Sequence, residues 1–155
     1  MTEHILGLDP GPKDSAFVLF DGKRVLEHGH IDNEVLLERL IARRFEKPAY
    51  LTVIEQIQNY GAVVGADVLE TVFWSGRFAQ AAEPFDRIKR PTIKRHLCKS
   101  VKAKDFDVRV ALMNRFGGGF AITFKGHQFA ALAVAVTWWD QHPQRKLEVI
   151  HATTV

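Results

Sequence analysis

Only one cysteine, Cys98, occurs in the 155 residues, so no internal disulfide can form and any fold must rest on its apolar core. No long uncharged apolar run is present, which excludes a helical membrane span of about 20 residues. Nor is there a basic stretch followed by an apolar one near the N-terminus, so a cytoplasmic protein is expected. Internal repeats, low-complexity tracts and linker-like Gly/Pro/Ser stretches are missing too, and residues 1–155 are read as a single domain. At this length a chain buries roughly 70% of the surface it exposes unfolded, enough for a core without a structural metal. One further absence is local. From Arg87 to Lys104 (RIKRPTIKRHLCKSVKAK) there are eight Lys/Arg and no acid, whereas Gly61 to Phe85 has one Arg and three acids. The net charge of +3 therefore conceals a basic patch made of Arg87, Lys89, Arg90, Lys94, Arg95, Lys99, Lys102 and Lys104. Such a patch suits a phosphate backbone, whose neutralisation releases counterions, or is simply a solvated helix face.

What is present is a composition of 46% hydrophobic and 25% charged residues, that of an ordinary globular domain. His4 to Asp9 is a short strand stopped by Pro10, Gly11 and Pro12. Ser15 to Phe20 reads as a second strand, Asp21-Gly22 as a hairpin turn and Lys23 to Ile31 as the returning strand. After Asp32 or Asn33 as N-cap, Leu36, Leu37, Leu40 and Ile41 recur at helical spacing, and the helix is expected to end before Pro48. Tyr50 to Glu55 is an apolar strand, Val64 to Gln80 a helix and Phe85 to Ile88 a short strand. Pro91 to Cys98 is helical with Pro at its first position, and Lys104 to Phe116 is a helix closed by Gly117. A glycine-containing loop from Gly118 to Gly126 leads to an alanine-rich helix, His127 to Asp140. Hairpin-joined strands followed by alternating helix and strand predict a mixed α/β sheet with helices on its faces.

Asp9 and Glu55 each end an apolar strand. One acid there could simply mark where the strand meets solvent. Two acids at the carboxyl ends of neighbouring strands indicate a shared site, because ligands of α/β sheets gather at that edge. Hard divalent ions such as Mg²⁺ take carboxylate oxygens, and two such ions about 4 Å apart stabilise both the attacking and leaving oxygens of a phosphodiester cleavage. His127, opening the last helix, is a candidate third ligand, although an isolated histidine also serves as a cap or surface residue. His28 and His30 share a strand face and are read as decorating the hairpin.

Taken together, ILGLDPGPKDSAFVLFD, LTVIEQIQNYG, RPTIKRHLCKSVKAKDFDVRVALMNRFG and KGHQFAALAVAVTWWD resemble the RuvC-type Holliday-junction resolvases of the ribonuclease H-like superfamily, in the form found in phages and prophages. The resemblance runs through nearly the whole chain. It implies a central five-stranded mixed sheet flanked by helices, a homodimer, and Mg²⁺-dependent paired nicking of a four-way DNA junction, with two ions per site and Mn²⁺ as a substitute. Carried over by residue, Asp9 is the aspartate that bridges the metals, Glu55 the strand-end glutamate and His127 the first ligand of the last helix. Lys94 matches a lysine that assists catalysis, and Lys104 falls about one residue from a second such position. The loop after Glu55, QIQNYGAVVG, matches the region that inserts a side chain at the junction centre, with Tyr60 as the candidate and an ordinary solvated loop tyrosine as the alternative. The helix from Val64 onward matches one that contributes to the dimer interface, where Phe73 and Trp74 either take part or fill the core. One departure is Ala130, which stands where better-known members place a second carboxylate. Asp105 is the candidate for that missing metal ligand, although capping would also explain an acid at that helix start.

Ala130 motivates a rival expectation, a junction-binding protein impaired in cleavage; a broader branched-DNA nuclease is another. The LDPG turn also resembles that of actin-like kinases, but that class needs two such lobes and 155 residues supply one.

Overall fold

The computed structural model describes residues 4–45, 50–119 and 123–143. Five strands, β1 (His4–Asp9), β2 (Asp14–Phe20), β3 (Val25–Asp32), β4 (Tyr50–Gln56) and β5 (Phe85–Lys89), form one mixed sheet in the order β3-β2-β1-β4-β5. The first three pair antiparallel, while β1–β4 and β4–β5 are parallel. Helices α1 (Asn33–Ala42), α2 (Ala66–Ala81), α3 (Arg90–Cys98), α4 (Asp105–Phe116) and α5 (Gly126–Gln141) flank it. The expected central five-stranded mixed sheet is thus present.

Alternation along the strands sorts the core into two layers. Ile5, Val18, Phe20, Leu51, Val53 and Ile88 face α5, α3 and α4, whereas Leu6, Leu8, Phe17, Leu19 and Ile54 face α1 and α2. Helix α5 is apolar nearly all round, with every residue from Ala131 to Trp138 buried, as befits a helix lying across the sheet and covered by others. Its close approach depends on Gly7, because a Cβ there would stand 2.4 Å from the Ala131 carbonyl oxygen.

Element boundaries meet the sequence expectation in part. Asp32 is the N-cap of α1, accepting from the Glu34 N–H, and the helix ends at Ala42, before Pro48 as expected. Arg43 adopts the left-handed conformation, and its N–H turns back to the Arg39 and Leu40 carbonyls, closing the helix there. Leu36, Leu37 and Leu40 are buried as expected, whereas Ile41 is exposed. Helix α2 begins at Ala66, two residues later than the pattern suggested, and Pro91 is the second residue of α3. Gly117 closes α4 with a φ of 82°, a conformation that glycine adopts without a Cβ penalty.

Candidate active site

The apolar rows Ile5–Gly7 and Leu51–Val53, on the α5 side of the sheet, each continue into an acid. Parallel register pairs Leu8 with Ile54, so the next residues, Asp9 and Glu55, stand side by side at the carboxyl edge. The β1–β2 turn that follows Asp9 is fixed from within. Ser15 Oγ donates to Asn33 Oδ1 at 2.6 Å and accepts from the Gly11 N–H at 3.1 Å, while Asn33 Nδ2 donates to the Gly11 carbonyl at 2.9 Å. Helix α5 presents His127 from its first turn, with Nδ1 2.9 Å from Asp9 Oδ2. From the other side Arg90, the first residue of α3, donates through Nη1 to Glu55 Oε1 at 2.8 Å and through Nη2 to Asp105. Asp9, Glu55, Arg90, Lys94, Asp105 and His127 line one cavity of about 320 Å³, with Ile93, Val108 and Phe129 as its apolar lining.

Charge in this cavity is unevenly compensated. Burial first, and then the neighbouring Glu55, raise the Asp9 pKa to about 7 against the lowering contributions of His127 and Arg90. Glu55 is only 7% exposed, and its Oε2 has no hydrogen-bond partner among the described residues. A buried carboxylate oxygen left in that state is unfavourable unless something positive faces it. Burial opposes the charge on Arg90, but Glu55 and then Asp105 outweigh it and push its pKa upward.

The residues suit the divalent ion expected from the sequence. Two strand-end carboxylates with an adjacent imidazole are hard-to-borderline donors. A cation between Asp9 and Glu55 would relieve both the raised Asp9 pKa and the orphaned Glu55 oxygen, so the donor set fits. The set is not preassembled: among the described residues no three His, Cys, Asp or Glu side chains converge as a metal site.

Asp9, Glu55, His127, Lys94 and Asp105 are thus brought together by the fold. At the start of α4 the capping bond is made by Asp107, whose Oδ2 accepts from the Lys104 N–H, while Asp105, in the same first turn, still suits the helix dipole and pairs with Arg90. Ala130 lines the cavity and offers no donor atom. Tyr60 is exposed, donates its hydroxyl to Gln58 at 2.7 Å, and with Asp9, Glu55 and Arg90 borders a second hollow of about 200 Å³. Arg87, Lys89, Arg95, Lys99, Lys102 and Lys104 are exposed along β5, α3 and the α3–α4 connection, but none of them lines the cavity that holds Lys94, and Arg87 borders a separate hollow against α2.

Three residues near the site escaped the sequence reading. His30 is not mere hairpin decoration: its ring lies 5.3 Å from that of His127, and its Nε2 lies 3.3 Å from Asp14. The register Asp9–Ala16–His30 puts it in the Asp9 row, a signal that needs strand pairing to be seen. Arg109, stacked 4.8 Å over Phe129, follows Asp105 by four residues, and that helical spacing could have revealed it. Arg90 was expected only as a phosphate contact, and its bridge between two carboxylates was not.

No protein-family model matches the sequence, and no curated protein matches it significantly. Solved structures do resemble the fold, two of RuvC among them. The Thermus thermophilus RuvC structure aligns with a TM-score of 0.63 at 21% identity, over 86% of this chain and 92% of that one. T. thermophilus RuvC in complex with a Holliday-junction substrate aligns with a TM-score of 0.68 at 17% identity, over 87% of this chain and 92% of that one. The five-stranded mixed sheet and its flanking helices therefore have the ribonuclease H-like fold of RuvC.

Proposed function

We propose that this chain is a Mg²⁺-dependent, structure-selective endodeoxyribonuclease that resolves four-way DNA junctions by paired nicks in opposed strands. The observation that carries this reading is the placement of Asp9 beside Glu55 at adjacent strand ends, next to His127, in a cavity that Arg90, Lys94 and Arg109 also line. The fold supports it, since one of the similar structures is RuvC bound to a Holliday-junction substrate.

Asp9 would contact both of two Mg²⁺ ions, with Glu55 and His127 holding one each and Asp105 as a further candidate; Mn²⁺ can substitute. Bound there, a divalent ion supplies positive charge to the phosphate oxygens and lowers the pKa of the attacking water. Lys94, lining the same cavity, offsets charge that develops on the scissile phosphate. Tyr60 stacks at the junction centre, and the exposed lysines and arginines from Arg87 to Lys104 hold the arms by their phosphates. We read residues 1–155 as one domain that works as a homodimer. Among the described residues no helix is long and apolar enough to cross a membrane. The motif likeness to phage and prophage forms supports a bacterial cytoplasmic setting.

The test is to incubate the protein with a labelled four-way junction and a matched linear duplex, with and without Mg²⁺, and to map any nicks. Symmetric, Mg²⁺-dependent nicks confined to the junction are expected, and Asp9→Asn should abolish them while junction binding persists. Equal cutting of both substrates would point to a general nuclease. Salt-sensitive junction binding without product in Mg²⁺ or Mn²⁺ would favour the cleavage-impaired reading that Ala130 raises.

A further inference from the structure

Arg90, which lines the cavity together with Lys94 and Arg109, is hydrogen-bonded to two of its carboxylates. Its guanidinium spans Glu55 and Asp105, engaging Oε1 of Glu55 at 2.8 Å while Oε2 stays buried without a partner among the described residues. Its charge also acts on Asp9. One side chain therefore supplies positive charge to three acids in the region where a divalent ion would neutralise Asp9 and Glu55. The two cations repel each other, and a guanidinium on Glu55 Oε1 occupies an oxygen that the ion needs.

Arg90 also has somewhere to go. Its side chain is 36% exposed, and its second anchor, Asp105, lies at the open side of the cavity with its own side chain 78% exposed. The planar fork that fits a carboxylate fits two phosphate oxygens equally well. A DNA backbone entering over the basic residues of α3 would offer Arg90 that alternative partner close to its starting position.

We propose that Arg90 is a built-in counterion: it holds Glu55 in the DNA-free protein, competes there with the divalent cation, and passes to a DNA phosphate when the junction binds. This inference rests on the metal-dependent nuclease reading and adds to it an order of events, in which DNA draws Arg90 away and so favours metal loading. Linkage makes the effect reciprocal, so a cation must also tighten junction binding. Arg90 acts here as a positioning residue, through Glu55.

The experiment is calorimetric titration of Mn²⁺ into the DNA-free wild type, Arg90→Ala, Arg90→Lys and Glu55→Gln, each checked for fold by circular dichroism. Arg90→Ala is expected to bind Mn²⁺ roughly 5-fold or more tightly than wild type, within the usual range of coupling between sites. Arg90→Lys, which keeps the charge but loses the fork, should fall between them and carries the comparison if the alanine variant misfolds. A second arm measures junction affinity with and without Ca²⁺, the DNA being verified intact afterwards. Ca²⁺ should tighten junction binding more in wild type than in Arg90→Ala. Unchanged or weaker Mn²⁺ binding in the Arg90 variants, or equal Ca²⁺ effects on junction affinity, overturns the counterion role and leaves the metal centre standing, provided Glu55→Gln loses Mn²⁺ binding. Undiminished Mn²⁺ binding in folded Glu55→Gln overturns the metal-centre reading and the inference with it.

Discussion

Asp9 is subject to opposing influences whose balance has a measurable consequence. Burial and then Glu55 raise its pKa from 3.8 to about 7, against the hydrogen bond from His127. In the unfolded chain the carboxyl titrates near its ordinary value, so between about pH 4 and 7 the native state binds more protons than the unfolded one. Stability contributed at this position is therefore complete below about pH 4 and is lost as pH rises through 7. Asn cannot ionise and removes that loss. In chelator, Asp9→Asn should match wild type near pH 4 and exceed it increasingly up to pH 8, by at most roughly 4 kcal/mol for a three-unit shift. Denaturant melts of both proteins across that range check it. A difference that does not grow with pH would mean that Asp9 ionises freely in the folded state and is not crowded by Glu55.

At the scale of elements, the site depends on how α5 lies on β1, because that contact sets the height of His127 above Asp9. Gly7 governs it: a methyl group there would meet the Ala131 carbonyl oxygen at 2.4 Å and the Ala135 Cβ at 3.0 Å. Gly7→Ala must push α5 outward, with an expected loss of about 1–3 kcal/mol from overpacking and a much reduced cleavage rate. Thermal melts and single-turnover assays test this, and a variant with wild-type stability and rate would show that α5 has slack. The same contact bears on what could be read from the sequence. Strand ends carrying Asp9 and Glu55 were legible because each acid terminates a short continuous apolar run, which is a local signal. The apolar run of α5 was legible for the same reason, and the sheet followed from the order of elements. The residue at which α1 ends was not, because a left-handed cap at Arg43 leaves no composition signal comparable to glycine. Nor was the bridge made by Arg90, because Asp105 lies fifteen residues away and only the packing of α3 against α4 joins them. His30 was missed on similar grounds, since it reaches His127 only through two registers of strand pairing.

On the scale of the whole molecule, α2 is a helix with an unfinished environment. Of its 16 residues only Phe78 is buried, and Leu69 and Phe73 are 62% and 59% exposed, with Val68 and Val72 exposed beside them. Residues 68, 69, 72 and 73 repeat at intervals of three and four, so they form one apolar stripe on the helix surface. Val63 and Val64, in the segment leading from Tyr60 to α2, are exposed as well. A stable interface buries roughly 800 Å² per partner with an apolar centre, and a stripe of this kind suits a second copy related by a two-fold axis. Such a dimer would hold two cavities against two opposed strands of a junction, which one 17.6 kDa chain cannot do. Replacing Leu69 and Phe73 together by Glu places charge at the centre of the stripe. Light scattering should give wild type twice the mass of a single chain and the double variant the mass of one, with circular dichroism unchanged. Junction cleavage by the variant should then yield single, uncoordinated nicks rather than paired ones. A wild type that is monomeric, or a double variant that remains dimeric, would remove α2 from the interface and leave its apolar stripe to another partner.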